Sequence, residues 1–274
     1  MTVTFDGLTP IEKTLLVTLS GRALDIQQKR PLLGDRSAET VSNRLDHDIP
    51  KLSSTVRLAV AVRSRMLDRL VDQFIADHPD AVVVELGCGL ETRMHRLAPP
   101  VTVDWYDIDL PDVIALRRQL IPELDRGHPI AASLTEPGWL TEIPCEQPAI
   151  IVADGVLGFL TEADNKQILR TITDHFTAGG ELIFNAYTPL VARMMGALRV
   201  LRDVGIPKNY RGYGIANPHA IEELNPNLTF IEEQLGAQAP EADQFPWATR
   251  LIAKIFARWR AQARRGVWIV LYHF

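Results

Sequence analysis

The stretch VVVELGCG, residues 82–89, is a short apolar run that ends in an acidic residue and a glycine-containing turn. Residues 82–86 are rich in β-branched side chains, which is typical of a strand buried on both faces of a parallel sheet. Gly87 and Gly89 then allow the backbone to turn tightly and to approach a ligand closely. The stretch predicts a strand followed by either a ligand-binding turn or an ordinary turn into a helix, and the glycines alone do not separate the two.

Similar apolar runs recur after this strand and alternate with segments of helical periodicity. Further strands are predicted at 101–109, 130–134, 149–153 and 181–187. The helical segments between them lie at 91–97, 112–120 and 161–176. This alternation predicts an α/β fold with a doubly wound, mostly parallel sheet. Residues 228–232 and 267–274 are predicted as an antiparallel pair of strands at the edge of that sheet.

Helical periodicity also marks the ends of the chain. Segments 10–28 and 51–76 precede the first strand, so we expect residues 1–80 to form a helical cap on a main domain of residues 81–274. Segment 191–204 is predicted as one helix, and segment 247–265 as a basic helix with an apolar stripe. We expect that stripe to pack on the core, with a membrane-surface helix as the alternative.

Polar residues end several of the predicted strands. In doubly wound sheets the ligand lies beyond the carboxyl ends of the strands. We therefore expect one rim to carry the following residues: Glu85, Asp107, Asp109, Ser133 and Asp154.

This rim favours a cationic cofactor over a dinucleotide. A dinucleotide fingerprint has a third glycine, but Thr92 stands at that position, and Glu85 would repel a pyrophosphate. S-adenosylmethionine has no phosphate and carries two positive groups. Asp109, more than Asp107, is predicted to accept hydrogen bonds from its ribose diol. Asp154 is predicted either to hold the methionine ammonium or to cap the next helix.

Composition narrows the classes of partner. The formal net charge is −5, so a nucleic-acid partner is not expected. The two cysteines and seven histidines form no metal-ligand spacing, so no metal is expected. With no signal-peptide pattern at the N-terminus and no run of about 18 apolar residues, we expect a soluble cytoplasmic protein without a membrane partner. A homodimer is left open.

The motifs around the glycine turn resemble those of the leucine carboxyl methyltransferase family, and within it the bacterial O-methyltransferases of tetracenomycin-type polyketide biosynthesis. The resemblance covers most of residues 10–190 and rests on the following motifs: ELGCGLETR at 85–93, HRL at 95–97, DIDLP at 107–111, ASLTEPGWL at 132–140 and DGVLGFL at 154–160. It implies a class I, Rossmann-like fold with a seven-stranded sheet, and S-adenosylmethionine converted to S-adenosylhomocysteine.

The resemblance also implies roles for single residues. Gly87 would contact the methionine part of the cofactor, and Asp109 its ribose. Arg63 would grip the cofactor carboxylate, and Asp154 would replace a glutamate that contacts the amino-acid end. The other residues assigned to the cofactor site are Lys13 (by a loose alignment), Glu85, Cys88, Gly89, Arg93, Asp107, Leu110, Ser133, Leu134 and Gly155, with Ser133 and Leu134 flanking the adenine.

Three positions depart from the family pattern. Glu91 stands in place of an aspartate, Asp154 is one methylene shorter than the usual glutamate, and Ser133 replaces an aspartate of the carboxyl methyltransferases. These changes alter affinity without removing the site. The Ser133 and Asp154 changes permit a non-catalytic member that binds a ligand or partner as an alternative. A nicotinamide-dependent oxidoreductase is the weaker alternative, because Glu85 and the missing third glycine oppose it.

The predicted reaction is methyl transfer to an oxygen atom of a small molecule, with a polyketide-like metabolite as one acceptor class. A carboxylate acceptor is already ionised, whereas a hydroxyl benefits from a general base. The sequence indicates no clear base, which mildly favours a carboxylate or an acidic phenol. Tyr187, Tyr210 and Tyr213 are the candidate catalytic residues, on position alone.

Overall fold

The structure is a computed structural model that describes residues 3–5, 7–46 and 52–274. Its centre is a seven-stranded sheet in the order β3-β2-β1-β4-β5-β7-β6. The strands are β1 (Val82–Leu86), β2 (Asp104–Asp109), β3 (Gly127–Ala131), β4 (Ala149–Ala153), β5 (Gly180–Asn185), β6 (Thr229–Leu235) and β7 (Trp268–His273). The first five strands run parallel, and β7 pairs antiparallel with both β5 and β6. The predicted Rossmann-like α/β class is confirmed.

Helices cover both faces of this sheet. They are α1 (Leu15–Asp25), α2 (Arg36–Arg44), α3 (Ser54–Asp77), α4 (Arg93–Leu97), α5 (Pro111–Leu120), α6 (Glu162–His175), α7 (Pro189–Met194), α8 (Arg199–Asp203), α9 (Ala220–Leu224), α10 (Trp247–Phe256) and α11 (Arg260–Ala263). Side chains alternate along β1, so Val83 packs with α3 on one face while Val82 and Val84 pack with α6 on the other. The continuous apolar run is therefore buried from both sides.

The N-terminal helices stack on the outside of α3. α1 packs against both α2 and α3. α2 was not predicted, because its nine residues bury few apolar side chains, and its start depends on Asp35, whose carboxylate accepts a hydrogen bond from the Ala38 N–H at 2.9 Å. The predicted second helix began at Lys51, which lies outside the described residues; α3 begins at Ser54.

Three predicted elements are wrong in detail. β3 is Gly127–Ala131 rather than 130–134, because this edge strand contains a glycine and a proline and is only half-buried. The single helix at 191–204 is broken at Leu198, where the backbone is extended; just before it, Gly196 donates its N–H to the Tyr210 carbonyl, and a Cβ there would collide with the chain at Pro207. The basic helix is broken at Trp259, where the backbone is extended between α10 and α11.

The basic helix also fails to pack as predicted. Its apolar stripe faces away from the core, and Ala253 is the α10 residue that is buried.

None of the described helices is long and apolar enough to cross a membrane.

Candidate cofactor and acceptor site

A cavity of about 790 Å³ lies where β1, β2, β4 and β5 end. The residues at and after these strand ends form its floor. Its walls come from residues 9–14, from α1 and α3, and from the segments 187–201 and 265–268. Its volume falls within the roughly 300–1,000 Å³ of small-molecule sites. The position matches the rim that the strand order predicts for a ligand.

The glycine turn after β1 is part of this floor. Gly87 and Gly89 have φ of 56° and 49°, a region that side chains other than glycine rarely adopt. A Cβ on Gly87 would also collide with the side chain of Val156. The Cys88 N–H donates to the Ile108 carbonyl at 3.0 Å, which ties the turn to β2. The backbone at Gly87 therefore faces the cavity directly, and a side chain at this position would be strained and would collide with Val156.

The two aspartates of β2 have different surroundings. Asp109 lines the cavity, and its carboxylate accepts hydrogen bonds from the N–H groups of Gly89 and Leu110, both at 2.7 Å. Burial raises its pKa. Asp107 does not line the cavity, because its carboxylate is turned to Arg117 at 2.6 Å. Of the two aspartates, Asp109 alone lines the cavity, and Asp109 is also the one that the sequence favours for the ribose.

A buried network of ion pairs lies behind the glycine turn. It contains four arginines, Arg22, Arg63, Arg93 and Arg96, and five carboxylates, Asp35, Asp68, Glu85, Glu91 and Asp154. Arg93 is at its centre: it is 1% exposed, donates hydrogen bonds to Asp68 at 2.8 Å and to Glu85, and forms a longer ion pair with Asp154 at 3.8 Å. Arg93, which is predicted to contact the cofactor, does not line the cavity, and its guanidinium lies in the network.

The network holds one more carboxylate than guanidinium groups, and Glu85 shows the consequence. Burial raises the pKa of Glu85 to about 7, although Arg93 beside it acts in the opposite direction. Burial alone would also raise the pKa of Glu91, but the positive charges of Arg22 and Arg96 hold it well below its usual value. Glu85 is thus the network carboxyl that takes up a proton near neutral pH.

This protonation predicts a pH dependence of stability. The folded-state pKa of Glu85 lies above its unfolded value near 4.5, so the stability it contributes is present below pH 4.5 and is lost as pH rises through 7. We expect the free energy of unfolding of wild type, relative to Glu85→Gln, to fall by on the order of 2 kcal/mol between pH 5 and 8. Urea unfolding of both proteins across this range measures the difference. A constant difference would contradict the assignment.

Arg63 projects from α3 into the cavity. Its Nε lies 2.6 Å from Asp154 Oδ1, and its buried Nη2 has no hydrogen-bond partner among the described residues. Gly155, with φ of 80°, lies beside this guanidinium. A buried donor without a partner lowers the stability of the fold. An anionic group of a ligand would satisfy this donor, so Arg63 Nη2 is a candidate binding group.

Four other predicted residues divide between the cavity and its surroundings. Ser133, Leu134 and Leu110 all line the cavity, although Ser133 now lies two residues beyond β3 rather than within it. Lys13 does not line it, since its ammonium lies 6.0 Å from the centre of the Phe5 ring. The basic residue that the N-terminal helix contributes to the cavity wall is Arg22.

Comparison with known proteins identifies the family. Residues 16–173 match the model of the leucine carboxyl methyltransferases. The chain belongs to this family. It is 41% identical over 228 residues to the tetracenomycin polyketide synthesis O-methyltransferase TcmP of Streptomyces glaucescens, covering 82% of this chain and 83% of TcmP. Over 202 residues it is 34% identical to the S-adenosyl-L-methionine-dependent methyltransferase dpfgK of Gibberella zeae, covering 65% and 67% of the two chains.

Solved structures show the same fold at low identity. The N-methyltransferase NodS from Bradyrhizobium japonicum, solved with S-adenosyl-l-homocysteine, matches with a TM-score of 0.52 at 16% identity, over 87% of this chain and 98% of NodS. The predicted class, an S-adenosylmethionine-dependent O-methyltransferase, is confirmed by the family and by its relatives. The nicotinamide-dependent alternative is therefore wrong.

In this member of the family, the three candidate tyrosines do not share the cavity. Tyr187 lines it, and Gly158 leaves the room that the Tyr187 ring occupies. The Tyr210 hydroxyl donates to the Phe159 carbonyl at 3.0 Å, and Tyr213 is half-buried with a pKa that burial raises to about 12. Neither lines the cavity, so Tyr187 is the candidate that the structure retains.

Sequence reasoning missed several residues of the cavity wall. Asn185 ends β5, and its Oδ1 accepts a hydrogen bond from the Gly155 N–H at 2.5 Å, so its position is fixed at the floor. The rule that locates ligands at the carboxyl ends of strands would have found it. Glu12, Thr14 and Thr18 line the wall from the N-terminal side, and no sequence motif marks them.

Proposed function

We propose that the enzyme methylates an oxygen atom of a large, mostly apolar small molecule, such as an aromatic polyketide. The observation that carries this proposal is the cavity itself, which has a polar half beside the strand ends and an apolar half beyond it. The relative TcmP, which is named for polyketide synthesis, supports the acceptor class.

The polar half fits S-adenosylmethionine by its donor set. The free Nη2 of Arg63 suits the cofactor carboxylate, and the carboxyl oxygens of Glu85 and Asp154 can accept hydrogen bonds from its ammonium. Asp109 retains acceptor capacity for the ribose diol, since each of its oxygens accepts one hydrogen bond. Ser133 and Leu134 would flank the adenine. The backbone at Gly87 has room for the methionine part, because no Cβ is present there.

The apolar half suits the acceptor. One hydrophobic cluster borders it and includes the following side chains: Val17, Val56, Phe159, Met195, Val200 and Leu201. Such a surface binds a planar or aliphatic skeleton by burial of apolar area, while few polar groups fix its orientation. Tyr187 and Asn185 are the polar side chains that we propose for that orientation.

The protein's part in the reaction is alignment and exclusion of water. Bound S-adenosylmethionine supplies a methyl group that its positive sulfur already activates. The walls from α1 and α3 hold the acceptor oxygen close to that methyl group and keep water out. No histidine lines the described cavity, and each of its carboxylates is bonded or ion-paired on the floor or the N-terminal wall. This favours an acceptor already ionised near neutral pH, a carboxylate or an acidic phenol.

Two further parts of the proposal concern the whole chain. We propose that residues 1–80 act as the cap over residues 81–274, because α1 and α3 contribute cavity wall. We also propose a cytoplasmic location, a small-molecule acceptor rather than a nucleic acid, and no metal. Whether the chain forms a homodimer stays a prediction.

Asp109→Ala should weaken the binding of S-adenosylhomocysteine at least about tenfold, or ~1.4 kcal/mol, because the ribose diol loses its acceptor. Calorimetric titration measures the affinity. Asp112→Ala is the matched control, since Asp112 is an exposed residue at the start of α5. Equal affinities of the two folded variants would refute the ribose assignment.

Release of S-adenosylhomocysteine in the presence of a panel of aromatic phenols and carboxylates tests the reaction. We expect turnover with at least one large aromatic acceptor. Val56→Trp should fill the apolar half and stop turnover while leaving S-adenosylhomocysteine affinity unchanged; Val101→Trp, at a position 82% exposed, is the control. Binding of the cofactor without transfer to any acceptor would favour the non-catalytic alternative instead.

A further inference from the structure

α10 presents an apolar face to solvent. Six large side chains between residues 247 and 259 are 44% to 75% exposed: Trp247, Leu251, Ile252, Ile255, Phe256 and Trp259. Exposed apolar residues scattered singly are normal, but a contiguous group of this size marks a binding surface.

The orientation of α10 makes this exposure a property of the fold. Thr249, Ala253 and Ala257 lie four residues apart and form the row that faces the protein. Ala253 is 7% exposed, and the Ala257 carbonyl accepts a hydrogen bond from Gln238 Nε2 at 2.9 Å. α10 therefore rests on the protein through small side chains, and its large apolar side chains point outward.

A row of cations borders this face. Arg250, Lys254 and Arg258 are also spaced four residues apart, and none of them makes an ion pair with a described residue. From residue 244 to the end of the chain there are six lysines and arginines and no aspartate or glutamate, although the whole chain has a formal net charge of −5. Arg260 and Arg264 pair with Glu233, so the unpaired positive charge beside the exposed apolar side chains is that of Arg250, Lys254 and Arg258.

We propose that α10 docks this protein on an anionic lipid surface, with its axis in the plane of the interface. The apolar face, with a tryptophan at each end, would enter the boundary between headgroups and acyl chains, where indole rings are favoured. The row of Arg250, Lys254 and Arg258 would lie against the headgroup phosphates. A second copy of α10 would cover the apolar side chains but would bring no carboxylate to these cations, because α10 contains none.

The docking surface is joined to the cavity wall by the short helix α11. Residues 265–268, directly after α11, line the cavity wall. A docked α10 would therefore hold the cavity close to the lipid phase, into which large apolar acceptors partition. This last consequence rests on the proposed acceptor class, whereas docking itself does not.

Flotation with vesicles of pure phosphatidylglycerol and of pure phosphatidylcholine tests the proposal on the full chain. We expect flotation with phosphatidylglycerol and at least about tenfold weaker binding to phosphatidylcholine, with a blue shift of tryptophan emission on binding and weaker binding at high salt.

Two variants and one control locate the surface. Leu251→Ser/Ile255→Ser should weaken binding to phosphatidylglycerol at least about tenfold, and so should Lys254→Glu/Arg258→Glu. Val101→Ser/Ile231→Ser, which changes exposed apolar residues outside the segment 247–259, should bind as wild type does. Light scattering gives each variant's oligomeric state.

Three outcomes would overturn the proposal. The first is no binding of wild type to phosphatidylglycerol. The second is equal binding by the control and the two α10 variants. The third is a dimer that Leu251→Ser/Ile255→Ser converts to monomers, since the apolar face would then be covered by a second copy. Cofactor affinity is unaffected by each of these outcomes, so they leave the proposed methyl transfer standing.

Discussion

Arg93→Met is expected to lower the free energy of unfolding by about 3–5 kcal/mol. Arg93 is almost fully buried and is the shared partner of Asp68, Glu85 and Asp154. Its loss would leave Glu85 buried without a guanidinium partner and would leave Asp68 and Asp154 with one arginine each, Arg96 and Arg63, so the excess negative charge of the network would grow. Denaturant unfolding at pH 7 measures the change.

The matched control is Arg199→Ala. Arg199 pairs with Asp203 on the surface at 3.7 Å, where the two side chains are 87% and 55% exposed. Exposed pairs contribute about 0–1 kcal/mol, so this variant should unfold almost as wild type does. Similar losses in the two variants would show that burial of the network does not determine its contribution to stability.

Gly87→Ala should weaken S-adenosylhomocysteine binding at least about a hundredfold. The added Cβ requires a positive φ that costs roughly 1–2 kcal/mol, and it collides with Val156, so the turn must move away from its position on the cavity floor. Calorimetric titration measures the affinity, and circular dichroism verifies the fold.

Two further variants separate the causes. Gly7→Ala is the control, because a Cβ there meets no atom within 4 Å and φ is not positive. Gly87→Ala/Val156→Ala removes the collision and leaves the backbone strain, so part of the affinity should return. If Gly87→Ala bound the cofactor as tightly as Gly7→Ala does, the glycine turn would not be the cofactor floor.

The central strands and the rim were predictable because their causes are local. A continuous apolar run such as residues 149–153 can be buried only between two layers of helices, and a doubly wound sheet is the arrangement that supplies them. Residue spacing then located Asp109 and Asp154 at the same end of the sheet. The sequence therefore predicted the floor of the cavity more accurately than its walls.

The partners of charged side chains were harder to predict, because they depend on contacts between distant segments. Arg93 follows the glycine turn in the sequence, and Asp107 lies two residues before Asp109. Both side chains nevertheless form buried ion pairs, with Asp68 and Arg117 respectively. Arg93 is held by Asp68 from α3, 25 positions earlier. No local pattern distinguishes an arginine that meets a ligand from one that meets such a network.

The ends of the chain were predicted least well. Periodicity identified an amphipathic helix at α10 but could not determine which side faces the protein. The large apolar stripe was expected on the core, whereas the small residues Thr249 and Ala253 occupy that side. Lys13 was aligned by its charge, but the side chains that reach the cavity from this region are those of Glu12, Thr14 and Arg22.

A crystal structure of the protein in complex with S-adenosylhomocysteine tests the central claim most directly. The account predicts density for the ligand in the 790 Å³ cavity, with both ribose hydroxyls within hydrogen-bond distance of Asp109 and the carboxylate bonded to Arg63 Nη2. The apolar half bounded by Val56 and Phe159 should remain open to an acceptor. Density for the ligand elsewhere, or a ribose without contact to Asp109, would contradict the account.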